Sequence, residues 1–202
     1  PATNLSGTIA DARLPTVPIA KGGTGLTSLG SALQSLRVNS AGNALEFATA
    51  SSGGILQAKF GVTTSEISTT NNGNPSSTFN NMSALTGLTV TITPASTSNK
   101  ILLFTNFTAF HAGSGNGFAG IKNNTDTRYS GIIGDFYHNA GSGVIGNLTV
   151  WWLDTPTTTN ATTYQSYYGK TMSGTDVINR DYYSNNNGRA IIGAFEISSG
   201  IL

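Results

Sequence analysis

The chain has 202 residues and carries 10 Lys+Arg against 9 Asp+Glu, a net charge of +1 with His neutral. That balance excludes the strong basic field of a nucleic-acid binder. The absence of Cys excludes disulfides, thiolate metal sites and a Cys nucleophile.

Charged residues make up only 9% of the chain, against a usual share of about 25%. Thr (29), Ser (22), Asn (20) and Gly (25) supply nearly half of it instead. Hydrophobic residues reach 38%, so this is not a disordered composition. Thr, Tyr, Phe and Val favour strands, while Gly, Asn and Ser favour turns. An all-β protein with many turns is expected. No apolar run approaches the ~20 residues of a membrane helix. No basic segment followed by an apolar run opens the chain, so no signal peptide is expected.

Residues 1–50 are punctuated by Pro1, Pro15, Pro18 and the glycines 22, 23 and 25. Leu29, Leu33 and Leu36 fall at i, i+4 and i+7, which suggests a helical turn starting at Thr27 or Ser28. A hairpin is expected next: Leu36–Val38, a turn over Ser40–Asn43, then Leu45–Phe47. Fifty such residues bury little core alone. They need neighbours, which identical chains would supply, and the main domain is expected after them at 51–202.

Beyond a linker over Ala48–Gly54, short strands recur. Ile55–Val62, Met82–Leu85 and Leu88–Thr93 come first, the last with Thr89, Thr91 and Thr93 on a polar face. Pro94–Asn99 reads as a turn. Ile101–Phe110 has Ile101, Leu103 and Phe107 on one face and Leu102, Phe104 and Phe110 on the other. A strand apolar on both faces implies cover from a second sheet and from a partner subunit. Phe118–Ile121, Arg128–Ile133, Val144–Leu153, Ala161–Tyr168 and Ala190–Ile197 complete the set. Asn72–Gly73, Asn116–Gly117 and Asn187–Gly188 read as turns. About eight to ten strands at this spacing suggest a jelly-roll-like β-sandwich.

Gly115–Gly120 matches G-x-G-x-x-G, but Ile121–Thr125 is a poor helix, so the segment reads as a hairpin tip rather than a dinucleotide loop. His111 and His138, with Asp135, Asp154, Asp176 and Asp181, could build a metal or hydrolytic site only by converging, and spacing brings none of them together. No enzyme activity, metal or cofactor is expected. In Trp151–Trp152 the period of two sends the rings to opposite faces, one into the core and one toward a neighbour. Half-exposed aromatics suit sugar or protein contacts. Loops 112–117, 135–143 and 182–189 therefore carry the candidate contact residues Asn116, Phe136, Tyr137, His138, Tyr182 and Tyr183.

The segments Leu5–Pro15 and Lys21–Gly30, the latter followed by Leu36–Phe47, resemble modules of bacteriophage tail fibres. Leu88–Pro94, Ser98–Leu103, Leu153–Pro156, Ala161–Tyr164 and Ala194–Ile197 resemble a fibre head domain. The resemblance implies a homotrimer in the virion, assembled in the host cytoplasm beside other tail proteins. It implies a distal head that meets a host surface glycan or outer-membrane receptor. A virion fibre of capsid or neck without receptor binding, and a stand-alone carbohydrate-binding domain, are the alternatives.

Overall fold

The computed structural model describes residues 23–26, 28–32, 34–49, 54–70, 82–111, 115–126, 128–130, 133–138, 143–171, 174–180 and 188–200, with the backbone alone at 133–138 and 144. The chain divides into two compact units, Pro1–Ser52 and Gly53–Leu202. Among the described residues there is no helix.

The first unit holds the expected hairpin. Strand β1 (Gln34–Val38) pairs antiparallel with β2 (Leu45–Thr49). Leu36 lies opposite Phe47 and Val38 opposite Leu45, so one face is apolar. The other face carries Arg37 opposite Glu46, a salt bridge at 3.0 Å. Asn39 closes the turn: its Oδ1 accepts from the backbone N–H of Asn43 and Ala44. Gly42 takes φ +71°, a region glycine enters without strain. The helical turn does not form over residues 28–32. A single backbone bond, Gln34 N–H to Ser31 O, leads straight into β1. Leu36 pairs across a strand instead of continuing a helical stripe.

The second unit contains β3 (Ile55–Thr63), β4 (Ile67–Thr69), β5 (Ser83–Ile92), β6 (Lys100–His111), β7 (Gly115–Asn123), β8 (Ile133–His138), β9 (Val144–Asp154), β10 (Thr162–Lys170), β11 (Asp176–Ile178) and β12 (Ala190–Ile197). All pairings are antiparallel, and one set of them is nested: β3 with β12 and β4 with β11, β5 with β10, β6 with β9, β7 with β8. The larger sheet runs β3–β12–β6 and β4–β11–β6, with β9 on the far side of β6; the smaller runs β5–β10–β7–β8. Their apolar faces share one core, a β-sandwich. Alternate residues of β6, from Ile101 to His111, are buried, and Val90, Ile92, Ile121, Leu148 and Val150 meet them. Removing such a face from water is the main stabilising term.

Local chemistry explains the departures from regularity. Met82–Leu85 and Leu88–Thr93 form one strand rather than two. Its pairing with β10 jumps from Ala84 to Thr89, and Gly87 takes φ +81° inside the bulge. The bulge resets the period of two, so Leu85 and Leu88 both reach the core. The glycine-rich Gly115–Gly120 is not a hairpin tip, and Asn116–Gly117 is not a turn. Both lie in β7, held between β10 and β8, so tertiary pairing overrides local preference. Arg128–Ser130 is not a strand. Tyr129 makes one isolated bridge to Lys122, and β8 begins only at Ile133. The three-residue strands β4 and β11 were not expected.

Asn179 joins the halves of this broken region. It sits at φ +66°, donates its N–H to Thr108 O, and gives its Nδ2 to Thr63 O and Ser65 O across the β3–β4 gap. Gly188 returns beside it: a Cβ there would lie 2.3 Å from Asn179 O.

The turn Pro94–Asn99 forms as expected, around a buried carboxylate. Glu196 accepts from Gln57 Nε2 (2.6 Å), Asn99 Nδ2 (2.6 Å) and Ala95 N–H (2.7 Å). Burial alone would push this carboxyl up. The hydrogen bonds from Gln57, Asn99 and the Ala95 and Ser96 backbone outweigh that and hold it below its ordinary value. A depressed carboxyl contributes stability above its unfolded pKa of about 4.3 and loses it as pH falls through the lower folded value. Glu196→Gln is therefore expected to cost about 1.5–3 kcal/mol at pH 7. The difference from wild type should narrow below pH 4, as followed by urea unfolding at stepped pH. An unchanged difference at low pH would contradict the assignment.

Candidate functional site

Four of the candidate contact residues lie among the described residues. In the β7–β8 ladder, Gly115 pairs with His138, Asn116 with Tyr137 and Gly117 with Phe136. Four of the six candidates thus lie on neighbouring strands at one end of the smaller sheet, and β8 is its edge. These positions are strand, not loop, which corrects the expectation for 115–117 and 135–138. Asn116 is half-buried and its backbone is fixed. Its N–H donates to Thr171 Oγ1 (3.0 Å) and its carbonyl accepts from Thr171 N–H (3.1 Å). Tyr182 and Tyr183 lie outside the described residues, as do 112–114 and 139–142. β11 ends at Ile178 and β12 begins at Ala190. Arg180 is anchored over the Phe110 ring at 5.6 Å and beside Glu66 Oε1 at 3.5 Å.

Two buried polar clusters join the sheets. Tyr164 and Tyr168 stand four residues apart on β10 and reach across the core. Tyr168 donates to Asp176 Oδ2 (2.6 Å) and Tyr164 to Asp154 Oδ2 (2.7 Å). Burial pushes both phenols up, reinforced by the hydrogen bond each gives to its carboxylate. Asp176 Oδ1 also meets His111 Nδ1 (2.6 Å) and Lys170 Nζ (3.2 Å), and Lys170 donates further to the carbonyls of Gly174 and Thr69. Asp154 takes Asn123 Nδ2, Arg128 and its neighbour's N–H at Thr155. Spacing left His111 and Asp176 apart, yet the fold puts them in contact. Neither exceeds 1% exposure, so the pair has no face to offer a substrate. Its chemistry is that of a paired, hydrogen-bonded buried charge. Among the described residues no group of three or more His, Cys, Asp or Glu side chains could hold a metal ion.

A groove of about 550 Å³ opens between β4 and β5, lined by the hydroxyls of Ser68, Thr69, Thr70, Ser83 and Thr86 with Ile67 and Ala84. The outer face of the larger sheet has the opposite character. Phe104 stacks on Trp151 with centroids 5.1 Å apart and on Phe195 at 6.0 Å, and Phe60 meets both phenylalanines edge-on. Trp152 turns inward and packs against Tyr164 at 5.8 Å, so the two tryptophans divide as their alternation requires. The sequence points to Trp151 and Phe104 on this face but misses Phe60 and Val62 of β3 and Phe195 of β12. The alternation of Phe60 with Val62 was the available signal.

No family model matches the chain, and no curated protein matches it by sequence. Among solved structures it is similar to the infectious bursal disease virus Gt strain structure, at 9% identity and a TM-score of 0.36 over 77% of this chain and 41% of that one. It is similar to T=1 particles derived from infectious bursal virus at 9% identity and 0.36, over 76% and 39%. It is also similar to dimeric latent PorU from Porphyromonas gingivalis at 11% identity and 0.27, over 82% and 18%. The chain thus spans about two fifths of the length of the viral chains it matches. At TM-scores this low the likeness assigns no function.

Proposed function

We propose that the chain is a structural component of a bacteriophage tail fibre, assembled as a homotrimer. Residues 1–50 act as shaft or collar and 51–202 as a jelly-roll-like head. The reading takes its family from the tail-fibre resemblance of Leu5–Pro15, Lys21–Gly30 and Leu36–Phe47. The observation that carries it is the β1–β2 hairpin, which overlaps the last of these. Leu36 and Val38 on its apolar face are exposed, beside a hollow of about 380 Å³ lined by Leu26, Leu29, Leu36 and Phe47. A two-stranded hairpin is marginal in water by itself. Copies of the same segment around an axis would cover that face. The nested pairing of β3/β4 with β11/β12, β5 with β10, β6 with β9 and β7 with β8 supports the jelly-roll head, which is two Greek keys folded together.

In this reading the head meets a host surface glycan or outer-membrane receptor at the β7–β8 end, through Asn116 and the Phe136–His138 strand, with Tyr182 and Tyr183 as further contacts. The protein works in the virion after assembly in the host cytoplasm. Light scattering of the full chain is expected to give three chain masses, and the band to resist SDS until heated. A single-chain mass would remove the fibre reading and leave a stand-alone carbohydrate-binding domain. On a glycan array, Asn116→Ala and Tyr137→Ala are expected to weaken binding at least tenfold with the mass unchanged. A silent array from an intact trimer would leave a fibre without receptor binding.

A further inference from the structure

Exposed large apolar side chains are not scattered over this protein. Among the described residues of the second unit, five of six lie on one surface: Ile55, Phe60 and Val62 of β3 with Trp151 and Leu153 of β9. Each is between 43% and 63% exposed. The ladder registers join them through β12 and β6. Phe60 pairs with Gly193, Gly193 with Phe104, and Phe104 with Trp151; in the next row Phe195 pairs with Leu102, and Leu102 with Leu153. Gly193 leaves room for the Phe104 ring, since a Cβ there would lie 2.2 Å from it.

We propose that this outer face of the β3–β12–β6–β9 sheet is the surface through which the second unit packs against further copies of this chain. The inference deepens the fibre reading and rests on its premise that the chain assembles with itself. Three observations favour a second copy over other occupants. The first is area. A covered aromatic side chain contributes about 150–250 Å², so the exposed parts of this patch come to roughly 600 Å². The largest patch of a typical monomer is about 300–600 Å², so this one stands at the top of that range. A stable interface takes about 800 Å² from each partner, of which this patch would supply the apolar centre and its polar surroundings the rest.

The second is charge. The rows of Phe60 and Phe195 hold no ionised group; Lys100 stands at the Ile55–Ile197 end of the face, and the chain as a whole carries only +1. Copies therefore meet with little repulsion, and nothing at the centre is built to read a charged partner. The third is ring geometry. Phe60 stands at 67° to Phe104 and 83° to Phe195. Phe104 is nearly parallel to Phe195 and Trp151, at 18° and 30°. Rings locked against each other in this way do not form the flat platform on which a sugar stacks. They make an interlocking surface suited to another sheet face. At one side of the patch Asn106 Nδ2 donates to Asn147 Oδ1 (2.7 Å) and Thr149 Oγ1 (2.6 Å), a polar rim beside an apolar centre.

The test compares the full chain with Val62→Glu and, separately, Trp151→Arg. Both sites are about half exposed, so each variant is expected to keep the wild-type circular dichroism. A charge inside the interface is expected to weaken association about 30-fold or more. Because the first unit still joins the copies, both variants should lose the assembled mass at a clearly lower urea concentration than wild type, as followed by light scattering. Variants that dissociate at the wild-type urea concentration would overturn this face while leaving the fibre reading intact. A wild type of single-chain mass would overturn both. In that case, binding of an environment-sensitive apolar dye would mark the face as open to a different partner, and absence of binding would mean that the chain's own residues cover it.

Discussion

Replacing Asp176 with alanine is expected to destabilise the protein by about 3–5 kcal/mol, the range for breaking a buried ion pair by removing one partner. The carboxylate serves three groups at once: His111 Nδ1, Lys170 Nζ and Tyr168 OH, all within 3.2 Å. Asp176 is 1% exposed and Lys170 fully buried. Without the carboxylate the ammonium keeps only the carbonyls of Thr69 and Gly174, and the Tyr168 hydroxyl loses its acceptor. The same side chain bridges the two sheets, because Asp176 and His111 belong to the larger and Tyr168 and Lys170 to the smaller. Lys170→Met should cost less, since it leaves Asp176 with two donors. The double variant Asp176→Ala, Lys170→Met should cost less than the two single effects added, by about 1–3 kcal/mol, because no charge is then stranded. Urea unfolding followed by tryptophan fluorescence measures all three. A loss under 1 kcal/mol for Asp176→Ala would mean that the network does not hold the sheets together.

The parts of this fold that could be read from the sequence are those in which neighbours along the chain do the work. The alternation of Ile101 to Phe110 identifies β6 and its two faces because strand geometry makes every second residue share a side. The hairpin at 34–49 is legible because its turn chemistry, Asn39 with Gly42, is local. Trp151 and Trp152 divide between the faces for the same reason. What was not legible depends on which strands become neighbours. Gly115–Gly120 has turn composition, yet β10 and β8 flank it and make it a strand. The strands β4 and β11 have three residues each, too few to carry a period. His111 and Asp176 lie 65 residues apart and meet only because β11 continues the lane of β12 alongside β6. The candidate contact residues divide in the same way. Asn116 and Tyr137 were singled out by residue type, but their pairing across one ladder comes from the fold.

Gly61→Ala should be the most damaging single methyl in the second unit. Gly61 lies in β3, at the edge of the larger sheet, where β5 closes the sandwich. A Cβ there would sit 1.9 Å from Thr89 O and 3.1 Å from Ile192 Cγ2. The first obstacle is a backbone carbonyl and cannot rotate aside. Thr89 is paired with Gln165 of β10, so moving it disturbs the smaller sheet as well. Overpacking usually costs about 1–3 kcal/mol where side chains can shift, and here the cost should reach about 3 kcal/mol or more. Gly87→Ala is the control. Gly87 has φ +81° but nothing within 4 Å of its Cβ position, so only backbone strain applies and the cost should stay near ~1 kcal/mol. The difference between the two separates close approach from conformation. Gly61 also lies between Phe60 and Val62, whose side chains form the opposite face of β3. If β3 is forced away from β5, the aromatic layer tilts with it, so Gly61→Ala should weaken assembly of the chain in proportion to its loss of stability. Stability within 1 kcal/mol of wild type would show that β3 and β5 do not meet this closely, and the orientation assigned to that face would fall with it.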